Sequence, residues 1–97
     1  MSRRNDVLVK HREAIVAAAK REKALSVALV GSTARGEDTA DSDLDFLVEF
    51  KKDITLFGIG RLEADLQDML GCDVDVIPTT CVRDSYKATM ARDAVLL

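Results

Sequence analysis

The sequence contains no tryptophan and has little proline, histidine or cysteine: one, one and two residues among 97. It also lacks an apolar run of the length that a membrane-spanning helix needs. Residues 1–4 lead into an amphipathic pattern rather than into the apolar segment of a signal peptide. We therefore expect a cytoplasmic protein that does not contact a membrane.

The few cysteines, the single histidine and the net charge argue against further kinds of protein and site. Cys72 and Cys81 fit neither a disulfide framework nor the spacing of a zinc motif, so we expect two reduced and largely buried thiols. His11, the single histidine, falls on the apolar stripe of a helical pattern and is expected to be a packed or half-exposed helix residue. The net charge of −3 lacks the basic excess of a nucleic-acid-binding surface, which argues against direct contact with nucleic acid.

The length and the hydrophobic pattern predict one α/β domain over residues 1–97. Its small sheet has about three strands and is flanked by helices. Strands are expected at 25–30, 43–49 and 72–77. Helices are expected at 5–23, 32–35 (N-cap Ser32), 54–70 (N-cap Asp53, end at Gly71) and 82–97, the last with a break near Thr89.

The connections predict a mixed sheet. The short link between the first two strands allows an antiparallel pair. The long helical crossover between the second and third strands favours a parallel pair.

Two carboxylates, Asp43 and Asp45, stand one residue apart at the start of the second predicted strand. Because residues i and i+2 of a strand point to the same face, these side chains would repel each other unless a cation lay between them. Oxygen ligands favour Mg²⁺. Upstream, Gly31 and Ser32 supply backbone N–H groups and a hydroxyl suited to a phosphate. Together these features indicate phosphoryl or nucleotidyl transfer.

A third carboxylate is expected from the third strand. If that strand lies parallel to the second, its acidic side chains reach the Asp43 and Asp45 pair. We favour Asp75, which the flanking Val74 and Val76 place inside the strand, over Asp73 at its start.

The motif Gly31-Ser32-x-Ala34-Arg35-Gly36-x5-Ser42-Asp43-x-Asp45 resembles the signature of the DNA polymerase β-like nucleotidyltransferase superfamily. The length, Val74-Asp75-Val76-Ile77 and the ending Asp93-Ala94-Val95-Leu96-Leu97 are similar to its smallest branch, the minimal nucleotidyltransferase (MNT) proteins. The resemblance covers nearly the whole chain and implies a polymerase β-like palm fold.

The resemblance also implies residue roles. Gly31 and Ser32 would hold the nucleotide triphosphate, and Ser42 is assigned to the same site. The carboxylates, Asp43, Asp45 and Asp75, would be both catalytic and metal-binding, with Mg²⁺ as the cofactor and ATP as the substrate. Arg35 either contacts phosphate or forms a structural ion pair.

MNT proteins of this kind are commonly antitoxins paired with a HEPN-domain ribonuclease toxin. The resemblance therefore implies transfer of AMP to a tyrosine hydroxyl of such a toxin, and a hetero-oligomer with it. Two alternatives stay open: neutralisation of the toxin by stoichiometric binding alone, and nucleotidyl transfer to an aminoglycoside-type small molecule. The apolar residues Leu56, Phe57 and Ile59 serve either a partner surface or ordinary core packing.

Overall fold

A mixed four-stranded sheet forms the centre of the protein. The computed structural model describes residues 5–36, 43–83, 85, 88 and 92–97. The strands are β1 (Ala24–Val30), β2 (Leu44–Phe50), β3 (Val74–Pro78) and β4 (Val95–Leu96), in the order β3-β2-β1-β4. The mixed sheet is thus confirmed, with four strands instead of about three.

The two predicted strand pairings are both correct. Strand β1 pairs antiparallel with β2, as the short link between them allows. Strand β2 pairs parallel with β3, and the connection between them is long and contains a helix. One end of the sheet therefore combines the end of β1 with the starts of β2 and β3.

The C-terminal residues correct one prediction. A helix was expected to continue to Leu97, but Val95–Leu96 forms β4, antiparallel to β1. The amide of Leu97 also donates a hydrogen bond of 2.9 Å to the carbonyl oxygen of Val27. These apolar residues gain more from pairing with the edge of β1 than from a helical turn, and a strand of two residues is too short to show an alternating pattern. The break expected near Thr89 lies outside the described residues.

The N-terminal helix is divided rather than continuous. A π-helical turn at Asp6–Lys10 is followed by helix α1 at Arg12–Arg21. The division falls at His11, whose φ of −115° and ψ of 5° are not helical. His11 is half-buried, within the range expected for it, whereas Ala14 of the predicted apolar stripe is exposed.

The remaining helices are α2 (Gly31–Ala34), α3 (Leu56–Leu70) and a 3₁₀ turn at Thr79–Cys81. Helix α2 begins at Gly31 with Val30 as its N-cap, so the prediction of Ser32 as N-cap is wrong. No helix within the described residues has the length and apolar content that crossing a membrane requires.

Helix α3 begins one residue after its N-cap, Thr55, whose hydroxyl accepts a hydrogen bond of 3.2 Å from the amide of Gly58. The predicted N-cap, Asp53, instead forms an ion pair of 2.7 Å with Lys23. Because Lys23 engages that carboxylate, the hydroxyl of Thr55 is left to satisfy the first amides of the helix. The helix ends at Gly71, as predicted.

The core lies between one face of the sheet and helices α1 and α3. Its fully buried members include Ile15 of α1, Leu62 and Leu66 of α3, and Phe46 of β2. The residues of β2 alternate, so Asp45 points away from the face that Phe46 occupies. Neither Cys72 nor Cys81 is in a disulfide, as predicted, but Cys81 is exposed rather than buried.

Candidate active site

Three strands place Val30, Asp45 and Asp75 in one row across the sheet. Val30, the last residue of β1, pairs with Asp45 of β2, and Asp45 pairs with Asp75 of β3. The antiparallel and parallel pairings together bring these residues to the same end of the sheet. The topology therefore places two of the three expected carboxylates side by side.

The carboxylate pair lies on the face opposite the helical core. Asp45 stands between the buried residues Leu44 and Phe46, and Asp75 stands between the buried Val74 and Val76. Because neighbours in a strand point to opposite faces, both acidic side chains project from the open face. On this face Asp75 is exposed and Asp45 is partly buried.

The electrostatics of Asp45 reflect this crowding. Burial raises the pKa of the Asp45 carboxyl, and the charge of Asp75, a hydrogen bond with Asp75 and the charge of Asp43 raise that pKa further. Each of these causes disfavours the ionised form of Asp45. A cation bound between the carboxylates would remove the repulsion.

Asp43 lies just before β2 and is exposed. Its charge acts on Asp45, so it belongs to the same acidic region. However, within the residues that the structure describes, no three acidic, histidine or cysteine side chains already form a group that could hold a metal ion. The structure thus pairs Asp45 with Asp75 and leaves Asp43 at the margin of that pair.

The backbone at Gly31 approaches the carboxylate of Asp45 closely. Gly31 has a φ of +80°, and a Cβ at this position would lie 2.9 Å from Asp45 Oδ2. Only glycine combines this backbone conformation with the space for the carboxylate. The glycine at the end of β1 therefore leaves the oxygen of Asp45 accessible next to the amides of the α2 turn.

Two of the other predicted nucleotide contacts, Ser32 and Arg35, lie in or directly after the same turn. Ser32 is the second residue of α2, and Ser42 lies outside the described residues. Arg35, just after α2, forms an ion pair of 3.7 Å with Asp93 through side chains that are 41% and 33% exposed. The ion pair expected as one alternative for Arg35 is therefore present, and at this length and exposure it is weak enough for phosphate to compete.

Sequence reasoning missed two residues at this end of the sheet. Asp93 was named only as part of the C-terminal pattern, and its ion pair with Arg35, which stands 58 positions away in the chain, was not predicted. Thr33 is buried, and its hydroxyl has no hydrogen-bond partner within the described part of the chain. A buried hydroxyl is normally satisfied, so Thr33 adds an available polar group to the turn that follows β1.

The donor set fits a hard divalent cation. It consists of carboxylate oxygens, two of them from adjacent strands, with a glycine that keeps one oxygen uncovered. Burial is the largest cause of the raised pKa of Asp45, and the charges of Asp75 and Asp43 add to it, so a cation bound beside Asp45 would offset that repulsion. Arg35 adds a cation to the turn beside them.

A comparison with protein families decides the classification. The model of the family described as "Nucleotidyltransferase domain" matches residues 10–96, which include every element of the site. The chain belongs to this nucleotidyltransferase family. The resemblance inferred from the Gly-Ser and Asp-x-Asp motif is thereby confirmed.

The chain is also similar to a Methanocaldococcus jannaschii protein named "Putative protein adenylyltransferase". The two sequences are 31% identical over 98 residues, which cover 100% of this chain and 97% of the relative. The similarity thus extends over the whole length of both nucleotidyltransferases.

Solved structures agree with this classification. One, described as a "putative minimal nucleotidyltransferase", is 35% identical to this chain and has a TM-score of 0.88. The match covers 100% of this chain and 97% of the other. Another contains a tri-AMPylated Shewanella oneidensis HEPN toxin in complex with an MNT antitoxin. The matching chain of that structure is 16% identical to this one, with a TM-score of 0.69. The match covers 90% of this chain and 68% of the other, and it shows the fold alone.

Proposed function

We propose that this nucleotidyltransferase transfers AMP from ATP to a tyrosine hydroxyl of a HEPN-domain toxin and thereby acts as the antitoxin of a toxin–antitoxin pair. The observation that carries the chemistry is the pairing of Asp45 with Asp75 next to the turn at Gly31. Carboxylates beside a phosphate-binding turn are the groups that nucleotidyl transfer requires.

The proposed reaction assigns a task to each group. The amides of the turn at Gly31 and Ser32 bind the triphosphate, with Ser42 and Arg35 contributing to the same site. The acceptor oxygen attacks the α-phosphorus of ATP, the bond from that phosphorus to the bridging oxygen breaks, and pyrophosphate leaves. Asp75, which is exposed beside Asp45, orients the acceptor hydroxyl and receives its proton.

Asp43, Asp45 and Asp75 would hold Mg²⁺ in this proposal. When bound, the ion stabilises negative charge on the phosphate oxygens and on the attacking and leaving oxygens. Asp45 would be the ligand shared with the other two, because the charges of Asp75 and Asp43 both act on it. Arg35 would direct its positive charge to the triphosphate from its position just after α2, where its ion pair with Asp93 is 3.7 Å long and partly exposed.

The acceptor class rests on the structural neighbours and on chemistry. In one of the structures that share this fold, an AMPylated HEPN toxin is in complex with an MNT antitoxin. Among protein hydroxyls, that of tyrosine has a pKa near 10 and loses its proton more readily than that of serine. The added AMP would block an RNA-binding surface by its charge and size.

Label transfer tests the proposal. Radiolabelled ATP, Mg²⁺ and the HEPN-domain toxin proposed as the acceptor should yield a labelled HEPN protein, and Asp43→Asn should abolish the label. Substitution of the labelled tyrosine by phenylalanine should abolish it as well. Label transfer by Asp43→Asn at the rate of the unchanged protein would refute the catalytic proposal, and suppression of toxicity by that variant would favour neutralisation by binding alone.

A further inference from the structure

Two adjacent apolar side chains at the start of α3 have no role in the chemistry proposed above. Leu56 is 86% exposed and Phe57 is 82% exposed. Ile59, in contrast, is partly buried and packs against the core. Of the three apolar residues that the sequence offered as a partner surface, only Leu56 and Phe57 are therefore exposed. A contiguous exposed apolar surface is a mark of an interaction site.

An open apolar groove lies beside this pair. It has a volume of about 290 Å³. Its apolar lining comprises Phe50, Ile54, Leu56, Ile59 and Pro78. The groove and Phe57 together form the surface that we call the α3 patch.

The charges around the α3 patch specify its partner. Lys51 and Lys52 line the same groove and are exposed. The nearby Asp53 is engaged by Lys23 at 2.7 Å, and the first turn of α3 contains no acidic residue. Although the whole chain has a net charge of −3, this surface is locally basic. It therefore suits a partner that combines apolar side chains with acidic ones.

The α3 patch lies at the end of the sheet opposite the carboxylates. Phe50 and Pro78 end the parallel strands β2 and β3, whereas Asp45 and Asp75 stand near their starts. Asp45 and Phe50 are five residues apart in β2, which is about 17 Å at the usual rise per residue, and Asp75 and Pro78 are three residues apart in β3, which is about 10 Å. A partner bound at the patch leaves the carboxylates open to ATP.

We infer that the α3 patch is the docking surface for an acidic segment of the acceptor protein that inserts apolar side chains into the groove. This inference rests on the proposed function and adds how the acceptor is held. The acceptor binds at one end of the sheet, and a separate part of its chain carries the hydroxyl to the other end. Docking then sets the affinity for the acceptor and leaves the chemical step to the carboxylates.

Binding without nucleotide tests the docking surface directly. The probe is the purified HEPN-domain toxin that the proposed function names as the acceptor, titrated calorimetrically against the unchanged protein and against the double variant Leu56→Ser/Phe57→Ser. We expect binding to weaken roughly tenfold or more, because aromatic and aliphatic anchors dominate interface energies. The matched control is Val9→Ser, which removes an apolar side chain that is 79% exposed in the N-terminal turn and should leave binding unchanged.

The charge of the patch provides a second variant. Lys51→Glu/Lys52→Glu should weaken binding, and the loss should shrink at high salt because screening already weakens the original attraction. Lys10→Glu, an exposed change on the N-terminal turn, serves as the control. Thermal unfolding of every variant verifies that the fold is intact.

A separate assay of AMP transfer distinguishes this inference from the proposed function. If the patch variants bind as tightly as the unchanged protein, or if the patch mediates only self-association of this chain, the docking inference is overturned whether or not AMP is transferred. The same holds if the unchanged protein binds no HEPN protein. If the variants lose binding and no AMP is transferred by any form, docking stands and the catalytic proposal fails.

Discussion

A Cβ at Gly31 would lie 2.9 Å from Oδ2 of Asp45, so the backbone at the end of β1 has no room for a side chain beside this carboxylate. The contact joins the turn expected to bind phosphate to a carboxylate expected to bind a cation. It follows from the sheet itself, because Val30 pairs with Asp45 and Gly31 comes next in the chain. Substitutions at this point therefore test the site with little change elsewhere.

Gly31→Ala should lower activity sharply. The added methyl group forces the Asp45 carboxylate to turn away, and moving a catalytic group out of position costs about a hundredfold in rate. The measurement is the rate of AMP transfer at saturating ATP. Gly36→Ala is a matched control, since Gly36 also has a positive φ, +76°, but no described residue comes within 4 Å of its Cβ position.

Both alanine variants share the backbone strain of a positive φ, which costs about 1–2 kcal/mol of stability. Only Gly31→Ala also displaces Asp45. Equal losses of activity in the two variants would show that strain alone is responsible and that the contact between Gly31 and Asp45 has no role in the reaction.

Asp45→Asn should stabilise the metal-free protein at neutral pH while abolishing activity. Burial and the neighbouring carboxylates raise the pKa of Asp45 in the folded state. The stability linked to this group is therefore present below the pKa of the unfolded chain, about 3.9, and is lost as pH rises through the raised folded pKa. Asparagine stays neutral throughout and avoids that loss.

Calorimetric melting temperatures of both forms, measured in a chelator from acidic to neutral pH, test this prediction. The two curves should converge at low pH and separate in favour of Asp45→Asn as pH rises. Added Mg²⁺ should then raise the melting temperature of the unchanged protein but not that of the variant. A variant that is less stable than the unchanged protein at neutral pH without metal would contradict the electrostatic account.

Asp75→Asn should reduce the rate of AMP transfer by about 10²–10⁴-fold, the usual contribution of a positioned general base. The comparison is with Asp73→Asn, two residues earlier. Asp73 is exposed, and its backbone carbonyl, which the substitution retains, accepts a hydrogen bond of 3.0 Å from the amide of Leu44. Single-turnover kinetics with the HEPN acceptor measure both, and a similar fall for both variants would remove Asp75 from its proposed role.

The sequence predicts much of this site because its signals are local. The alternation of Leu44, Asp45 and Phe46 identifies a strand with one buried face, and the long helical connection predicts that β3 lies parallel to β2. From these two facts the proximity of Asp75 to Asp45 follows without a structure.

What the sequence did not predict depends on tertiary contacts. Asp53 is of a residue type that commonly caps helices, but its side chain pairs with Lys23, and Thr55 is the N-cap of α3. Strand β4 exists because Val95–Leu96 meets the edge of β1, which no pattern of two residues can indicate. The ion pair between Arg35 and Asp93 likewise joins distant segments. Such features need the folded chain to bring their partners together.

The most direct test of the central claim is the intact mass of the HEPN-domain protein after co-expression with this chain. The claim is that Asp43, Asp45 and Asp75 act together at the turn of Gly31 to transfer AMP. The unchanged chain, and the control Asp68→Asn on the exposed side of α3, should add whole AMP units, whereas Asp45→Asn should add none. An unmodified HEPN protein beside the unchanged chain, or full modification beside Asp45→Asn, would contradict it.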